Sequence, residues 1–274
     1  MRERFVLYNK TFYKATDSFL TSSLLDDFLF FVEMKLANTK LLFWEEYQEI
    51  IMLYFRFYGV DIDSPMRLMK DIERQIQRSY VKNKLYKGAV VRLSFFQVEE
   101  MLTYMIELNH VNRDVYTKST DVIELIENAR FYKSRTLLSS LSIGCRDLWR
   151  VAKAACIHNR KQIPLIVDEK NNILETPNAN LFLIFDNQKV KTPHISLGIC
   201  VNPARQFVII LLQDLGYEVE EVKELTTSDL LQAIEVFTAN DLIGIRTITA
   251  FKHARYYRTQ GNIIAEEFLK ALLV

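Results

Sequence analysis

Apolar and polar positions alternate in short stretches at the start of the chain and soon recur every three or four residues. Phe5 to Tyr8 and Thr11 to Lys14 carry the alternating pattern around Asn9-Lys10 and predict a hairpin. Phe28 to Lys35 and Thr39 to Phe43 predict a second hairpin about Ala37-Asn38. Trp44, Tyr47, Ile51, Tyr54 and Tyr58 recur at helical spacing, so Trp44 to Tyr58 predicts a helix that Gly59 stops. Ser64-Pro65 opens a second helix to about Tyr80, with proline in a first turn where its missing N–H is harmless. Strands are predicted at Ala89 to Phe96, Leu102 to Leu108 and Val122 to Ala129.

Asn112 to Thr120 is the most polar stretch in the middle of the chain. It sets the expected boundary: a smaller α+β subdomain over 1–112, an interdomain segment over 113–120, and a larger α/β subdomain over 121–274. After it come a helix (Arg146 to His158), strands (Pro164 to Val167, Asn180 to Phe185) and a helix (Pro203 to Leu215). Strand-like stretches follow at Glu218 to Val222, Leu230 to Phe237 and Ile243 to Ala250, then a terminal helix over Ile263 to Leu273. The mixed order predicts an α/β or α+β fold in two subdomains.

Composition narrows the function. Lysine and arginine number 35 against 34 acidic residues over 274 positions, which argues against holding nucleic acid by neutralising many phosphates. The start of the chain shows no secretory signal and no apolar run approaches a membrane span, so a cytoplasmic protein is expected. Cys145, Cys156 and Cys200 form no CxxC pair, and the four histidines show no metal spacing, so no metal site is expected. Of the histidines only His194, after Thr192-Pro193, falls near the expected site. With 7 glycines the chain has no GxGxxG, GxxxxGK[ST] or GxSxG, which removes nucleotide loops and the serine-hydrolase elbow. Arg78, Lys82, Lys84 and Lys87, interleaved with Tyr80 and Tyr86, read as a solvated helix end.

Four segments carry a resemblance: LETPNANLFLIFD from Leu174, KTPHISLGICVNPARQFV from Lys191, then DLGYEVEEVKEL and EVFTANDLIGIRTI. In this order they resemble the second half of the class IV aminotransferases, the pyridoxal-phosphate fold that includes branched-chain and D-amino-acid aminotransferases and aminodeoxychorismate lyase. The resemblance implies two subdomains with a cleft between them, a homodimer and pyridoxal phosphate as cofactor. It also implies a lysine that binds the cofactor aldehyde, a glutamate on the pyridine nitrogen, and a phosphate cup made partly of backbone N–H groups at a helix start.

On this resemblance Glu175 is the pyridine-nitrogen partner. Counting back from Glu175 without gaps, the lysine position falls on Ser142, which cannot form a Schiff base. The nearest upstream lysine is Lys133, nine residues earlier. Nine extended residues cover ~30 Å at ~3.3 Å each, so only an insertion forming a loop could bring it to the site. Otherwise Lys133 is a surface lysine beside Arg130 and Arg135. Lys153, on the predicted helix, should point away. The phosphate cup departs from the family at three places. The first-domain helix has Tyr47 and Ile50 where histidine and arginine are expected. The helix start reads Asn202-Pro203-Ala204-Arg205, with one N–H and one hydroxyl missing. Asp241 stands at a hydroxyl position, where a carboxylate beside phosphate costs about 4 kcal/mol per charge pair at 4 Å.

Two readings follow. In the first, the chain is a class IV aminotransferase-like protein with lost or altered cofactor chemistry, which holds pyridoxal phosphate weakly or not at all and binds a small carboxylated ligand or a partner. In the second, it is a working aminotransferase on a branched-chain or D-amino acid, or an aminodeoxychorismate lyase, with its lysine supplied from an unaligned position.

Overall fold

The computed structural model describes residues 4–16, 26–37, 39–85, 88–111, 116, 121–127, 131–154, 156 and 161–273. Expectations for Asn38, Tyr86, Lys87, Arg130, His158 and most of Asn112 to Thr120 lie outside these residues. The chain forms two compact units, Met1–Val115 and Tyr116–Val274.

The first unit is an antiparallel sheet in the order β2-β1-β6-β5-β3-β4. Its strands are β1 (Phe5–Tyr8), β2 (Thr11–Lys14), β3 (Phe28–Ala37), β4 (Lys40–Leu41), β5 (Gly88–Val98) and β6 (Met101–His110). Asn9 and Lys10 both take positive φ, which a two-residue hairpin turn requires. Glu99 and Glu100 do the same between β5 and β6. Helix α1 (Trp44–Phe57) buries Tyr47, Ile51, Tyr54 and Phe55. Phe55 meets Phe95 of β5 edge-on at 4.8 Å, and Phe30 of β3 lies 4.9 Å from Phe95. Helix α2 (Pro65–Lys82) buries Met69, Ile72, Ile76 and Tyr80 on one face and leaves its basic residues outside.

The second unit holds two sheets. The four-stranded one runs β17-β16-β7-β8, from β7 (Glu124–Ile126), β8 (Gln162–Pro164), β16 (Ala250–Phe251) and β17 (Ala254–Arg255). The seven-stranded one contains β9 (Ile166–Val167), β10 (Ile173–Thr176), β11 (Ala179–Ile184), β12 (Lys189–Pro193), β13 (Glu218–Val222), β14 (Glu235–Asn240) and β15 (Gly244–Ile248). β11 pairs with β14 along its length, and with β10 and β12 at its two ends. Helices are α3 (Ser142–Ala154), α4 (Pro203–Asp214), α5 (Thr227–Gln232) and α6 (Thr259–Leu273). One face of the large sheet packs Leu181, Leu183, Val236 and Ile248 into an apolar core with Leu125 and Phe251. The other stacks Phe182 on Phe237 at 5.0 Å.

Some elements differ from the sequence expectation. Helix α3 begins four residues earlier than Arg146. A helix, α5, precedes β14 where a single strand from Leu230 was expected. Thr226 and Asp229 form a capping box there, which satisfies the first helical N–H groups and favours a helix over an extended start. Among the described residues no helix is long and apolar enough to cross a membrane.

Candidate active site

Four short strands build the site. Glu175 of β10 lies opposite Ile166 of β9 and opposite Asn180 of β11. Asn180 in turn lies opposite Ala239 of β14. Residues directly opposite one another share a face, so Ile166, Glu175, Asn180 and Ala239 form one row across the sheet. On the far edge of β9, the backbone N–H of Lys133 donates to the Val167 carbonyl at 2.9 Å, and Tyr132 bridges to Val167. Helix α3 then packs Cys145, Trp149 and Ala152, spaced four and three apart, against Ile166 and Cys200.

This arrangement buries an ion pair. Lys133 Nζ lies 2.7 Å from Glu175 Oε1, with the two side chains 2% and 1% exposed. Trp149 Nε1 donates to the same oxygen at 3.0 Å, and the backbone N–H of Cys200 donates to Oε2 at 2.6 Å. A buried carboxylate needs such donors, because the ion pair alone does not offset the loss of water. Burial pulls the Lys133 ammonium down, but the charge of Glu175, with smaller help from the thiols and the Glu175 hydrogen bond, outweighs it and holds the amine above its ordinary value. A hydrogen bond between the two thiols splits them, with Cys145 held below and Cys200 above the ordinary thiol range.

The expectation that Lys133 is a surface lysine is therefore corrected, since its side chain is buried against Glu175. Ser142 is the first residue of α3. Nine extended residues would set Lys133 ~30 Å from Ser142, but the chain between them turns through a 3-10 helix at Leu138–Ser140, then runs as α3 and returns through β8 and β9. The chain doubles back, so a separation of 42 residues closes to one hydrogen bond. Lys153 lies in the last turn of α3 and lines a cavity with Thr176, Asn178 and Arg246.

The segments expected to form the phosphate cup sit beside this pair. Asn180 Nδ2 donates to the Cys200 carbonyl at 3.0 Å, three residues before α4 begins. Asn202 caps α4: its Oδ1 accepts from Ala204 N–H at 2.9 Å and from Asp241 N–H at 3.2 Å. Its Nδ2 donates to Asp241 Oδ1 at 2.6 Å. Asp241 is buried, 3% exposed, just past the end of β14. The Tyr116 hydroxyl donates to the Asp241 carbonyl, and burial pushes the Tyr116 phenol up. Pro203 occupies the first helical position, where it offers no N–H. Ile50 and Tyr47 belong to α1 of the first unit, where Tyr47 donates to the Glu33 carbonyl.

Sequence reasoning named Lys133, Glu175, Asn202 and Asp241, and missed Trp149, Cys145, Cys200 and Tyr116. The four-residue spacing of Cys145 and Trp149 marks one helix face and could have placed both. Nothing local marks Cys200, whose contribution is a backbone N–H. His194 caps the turn at Ile195–Leu197 through its ring nitrogen, a structural role.

Comparison with known proteins agrees with this architecture. The branched-chain aminotransferase of Thermoproteus uzoniensis with norvaline superposes with a TM-score of 0.83 at 15% identity, covering 99% of this chain and 95% of that one. An aminotransferase from Brucella abortus bound to the cofactor PLP superposes at 0.81, with 15% identity and full coverage of both chains (100% and 100%). An aminodeoxychorismate lyase of Vibrio harveyi is 39% identical over 80 residues, 29% of each chain. A mitochondrial branched-chain aminotransferase of Arabidopsis thaliana is 34% identical over 112 residues, 40% of this chain and 29% of that protein. The match thus spans about three tenths of the length of these two relatives. The family profile for amino-transferase class IV matches residues 33–251, so the chain belongs to the class IV aminotransferase family.

Proposed function

We propose that this chain keeps class IV lysine chemistry at Lys133 and has altered the end of the site that would meet a cofactor phosphate. The observation that carries the reading is the buried 2.7 Å contact between Lys133 and Glu175. Pyridoxal phosphate, the family's cofactor, supplies an aldehyde that takes up an amino group and a ring that draws off electrons.

The residues fit the ring end of that cofactor. Glu175 Oε1 can accept from a cationic ring N–H in place of Lys133. Once Lys133 loses its counter-charge, burial favours the neutral amine, which is the nucleophilic form. Occupation of Glu175 and activation of Lys133 are thus coupled. Trp149 and Cys200 N–H keep the carboxylate oriented while its partner changes. The phosphate end does not fit, because Asn202 already holds the Ala204 and Asp241 N–H groups and Asp241 places a buried carboxylate there. This favours altered over lost chemistry, with weak use of the phosphate.

Amino-group transfer from an amino acid is supported by the aminotransferase relatives, and cleavage of an aminodeoxychorismate-like substrate by the lyase relative. A homodimer is part of the same proposal. The test compares wild type, Lys133→Ala and Ser142→Ala in assays of both reactions with added pyridoxal and pyridoxal phosphate. Loss in Lys133→Ala and retention in Ser142→Ala is expected. Activity that survives in Lys133→Ala removes the reading.

A further inference from the structure

We infer that the aldehyde ligand of Lys133 and Glu175 carries no phosphate, because the Asn202–Asp241 pair closes the anion seat at the start of α4. The inference rests on the role proposed for Lys133.

An anion seat at a helix start needs free N–H groups. Here each is taken or missing. Pro203 has none, Ala204 N–H is bonded to Asn202 Oδ1 at 2.9 Å, and Arg205 N–H to the Asn202 carbonyl at 2.9 Å. The loop amide that faces the same place, Asp241 N–H, is bonded to Asn202 Oδ1 as well. The cation of this helix turn is also committed elsewhere: Arg205 Nη2 reaches the Pro193 carbonyl at 2.9 Å and Glu221 Oε2 at 2.7 Å. The buried carboxylate of Asp241 adds a charge of the wrong sign for a phosphate dianion.

The loop is also held in place. Tyr116 donates to the Asp241 carbonyl and packs on Gly244, where a built Cβ would come within 2.7 Å of its ring. Gly244 has φ +83°, so glycine suits both the turn and the close ring. Swinging Asp241 outward would break the Tyr116 bond and both Asn202 bonds together.

The ligand class that remains is a ring aldehyde with a protonable nitrogen and no phosphate, as in pyridoxal. The neutral Lys133 amine adds to the aldehyde carbon, a carbon–nitrogen double bond forms, and the aldehyde oxygen leaves as water. No oxidant or reductant is needed.

The experiment titrates wild-type protein with pyridoxal and with pyridoxal phosphate, reads the visible absorption of the adduct, and repeats both titrations with Asp241→Ser and Asn202→Gly/Asp241→Ser. Wild type should bind pyridoxal at least as tightly as pyridoxal phosphate, and the double variant should favour the phosphate by tenfold or more. Circular dichroism checks that the variants are folded, and the wild-type ratio needs no variant. Tenfold tighter binding of pyridoxal phosphate by wild type overturns the inference and leaves the Lys133 reading standing. Absence of an adduct with either aldehyde overturns both.

Discussion

The Lys133 ammonium sits 2.7 Å from Glu175 Oε1, although 42 positions separate the two residues. The pair depends on β9, which takes a backbone hydrogen bond from Lys133 on one edge and pairs with Glu175 on the other. Trp149 and Cys200 N–H complete the shell around the carboxylate.

Removing one partner of a buried pair leaves the other uncompensated. Glu175→Gln should therefore destabilise the protein by about 3–5 kcal/mol in urea unfolding. Lys133→Met should cost less, because Trp149 and Cys200 N–H still serve the carboxylate. Equal, small losses in both variants would show that the pair is not buried as described.

Trp149→Phe keeps most of the ring packing and removes one donor to a charged group. A loss of about 1.5–3 kcal/mol is expected by denaturant unfolding. The pH dependence of aldehyde addition to Lys133 should move as well, since Glu175 Oε1 then accepts from lysine alone. An unchanged profile together with unchanged stability would mean that the Trp149 bond contributes nothing.

Much of the fold was legible because local chemistry and tertiary packing agree. Trp44 to Phe57 shows its face in spacing alone, and Asn9-Lys10 sits in the tight turn that its residue types favour. The strand between Lys189 and Pro193 was not seen, since it meets β11 in only two residue pairs and most of its pairing, with β13, is long-range and parallel. Glu175 was legible from the segment around it. The burial of Lys133 was not legible, because its basic neighbour Arg135 suggests a surface and the partner that buries it, Glu175, is 42 positions away. The Asn202–Asp241 bond was hidden for a related reason: each residue was readable as a change in the cup, but not that the two changes satisfy each other.

In the first unit, Asp71 accepts from Tyr104 at 2.8 Å and from Arg74 at 2.6 Å, with Lys10 at 3.2 Å. Burial alone would raise its carboxyl, but the hydrogen bonds outweigh it and hold the group at about 2, below the ordinary aspartate range. A depressed carboxylate stabilises the fold above its unfolded value, and that contribution is lost as pH falls toward the folded one. The stability difference between wild type and Asp71→Asn should be constant near neutrality and shrink between about pH 4 and pH 2. A difference that grows on acidification would contradict this sign.

Asn202→Ala removes the cap of α4 and both bonds to Asp241. Loss of the cap alone costs about 1 kcal/mol, and loss of the Asn202 donor to the buried Asp241 carboxylate should add to it. Thermal melting of Asn202→Ala against Asn202→Ala/Asp241→Ser checks this: the second change should recover part of the loss. No recovery would separate Asp241 from the cap.

The most direct measurement is a peptide map after borohydride reduction of wild-type protein incubated with pyridoxal. The account predicts one stably modified lysine, Lys133, in the native protein, and no modification at that position once the protein is unfolded before incubation at the same dilute aldehyde. Modification spread over surface lysines with Lys133 untouched would contradict it.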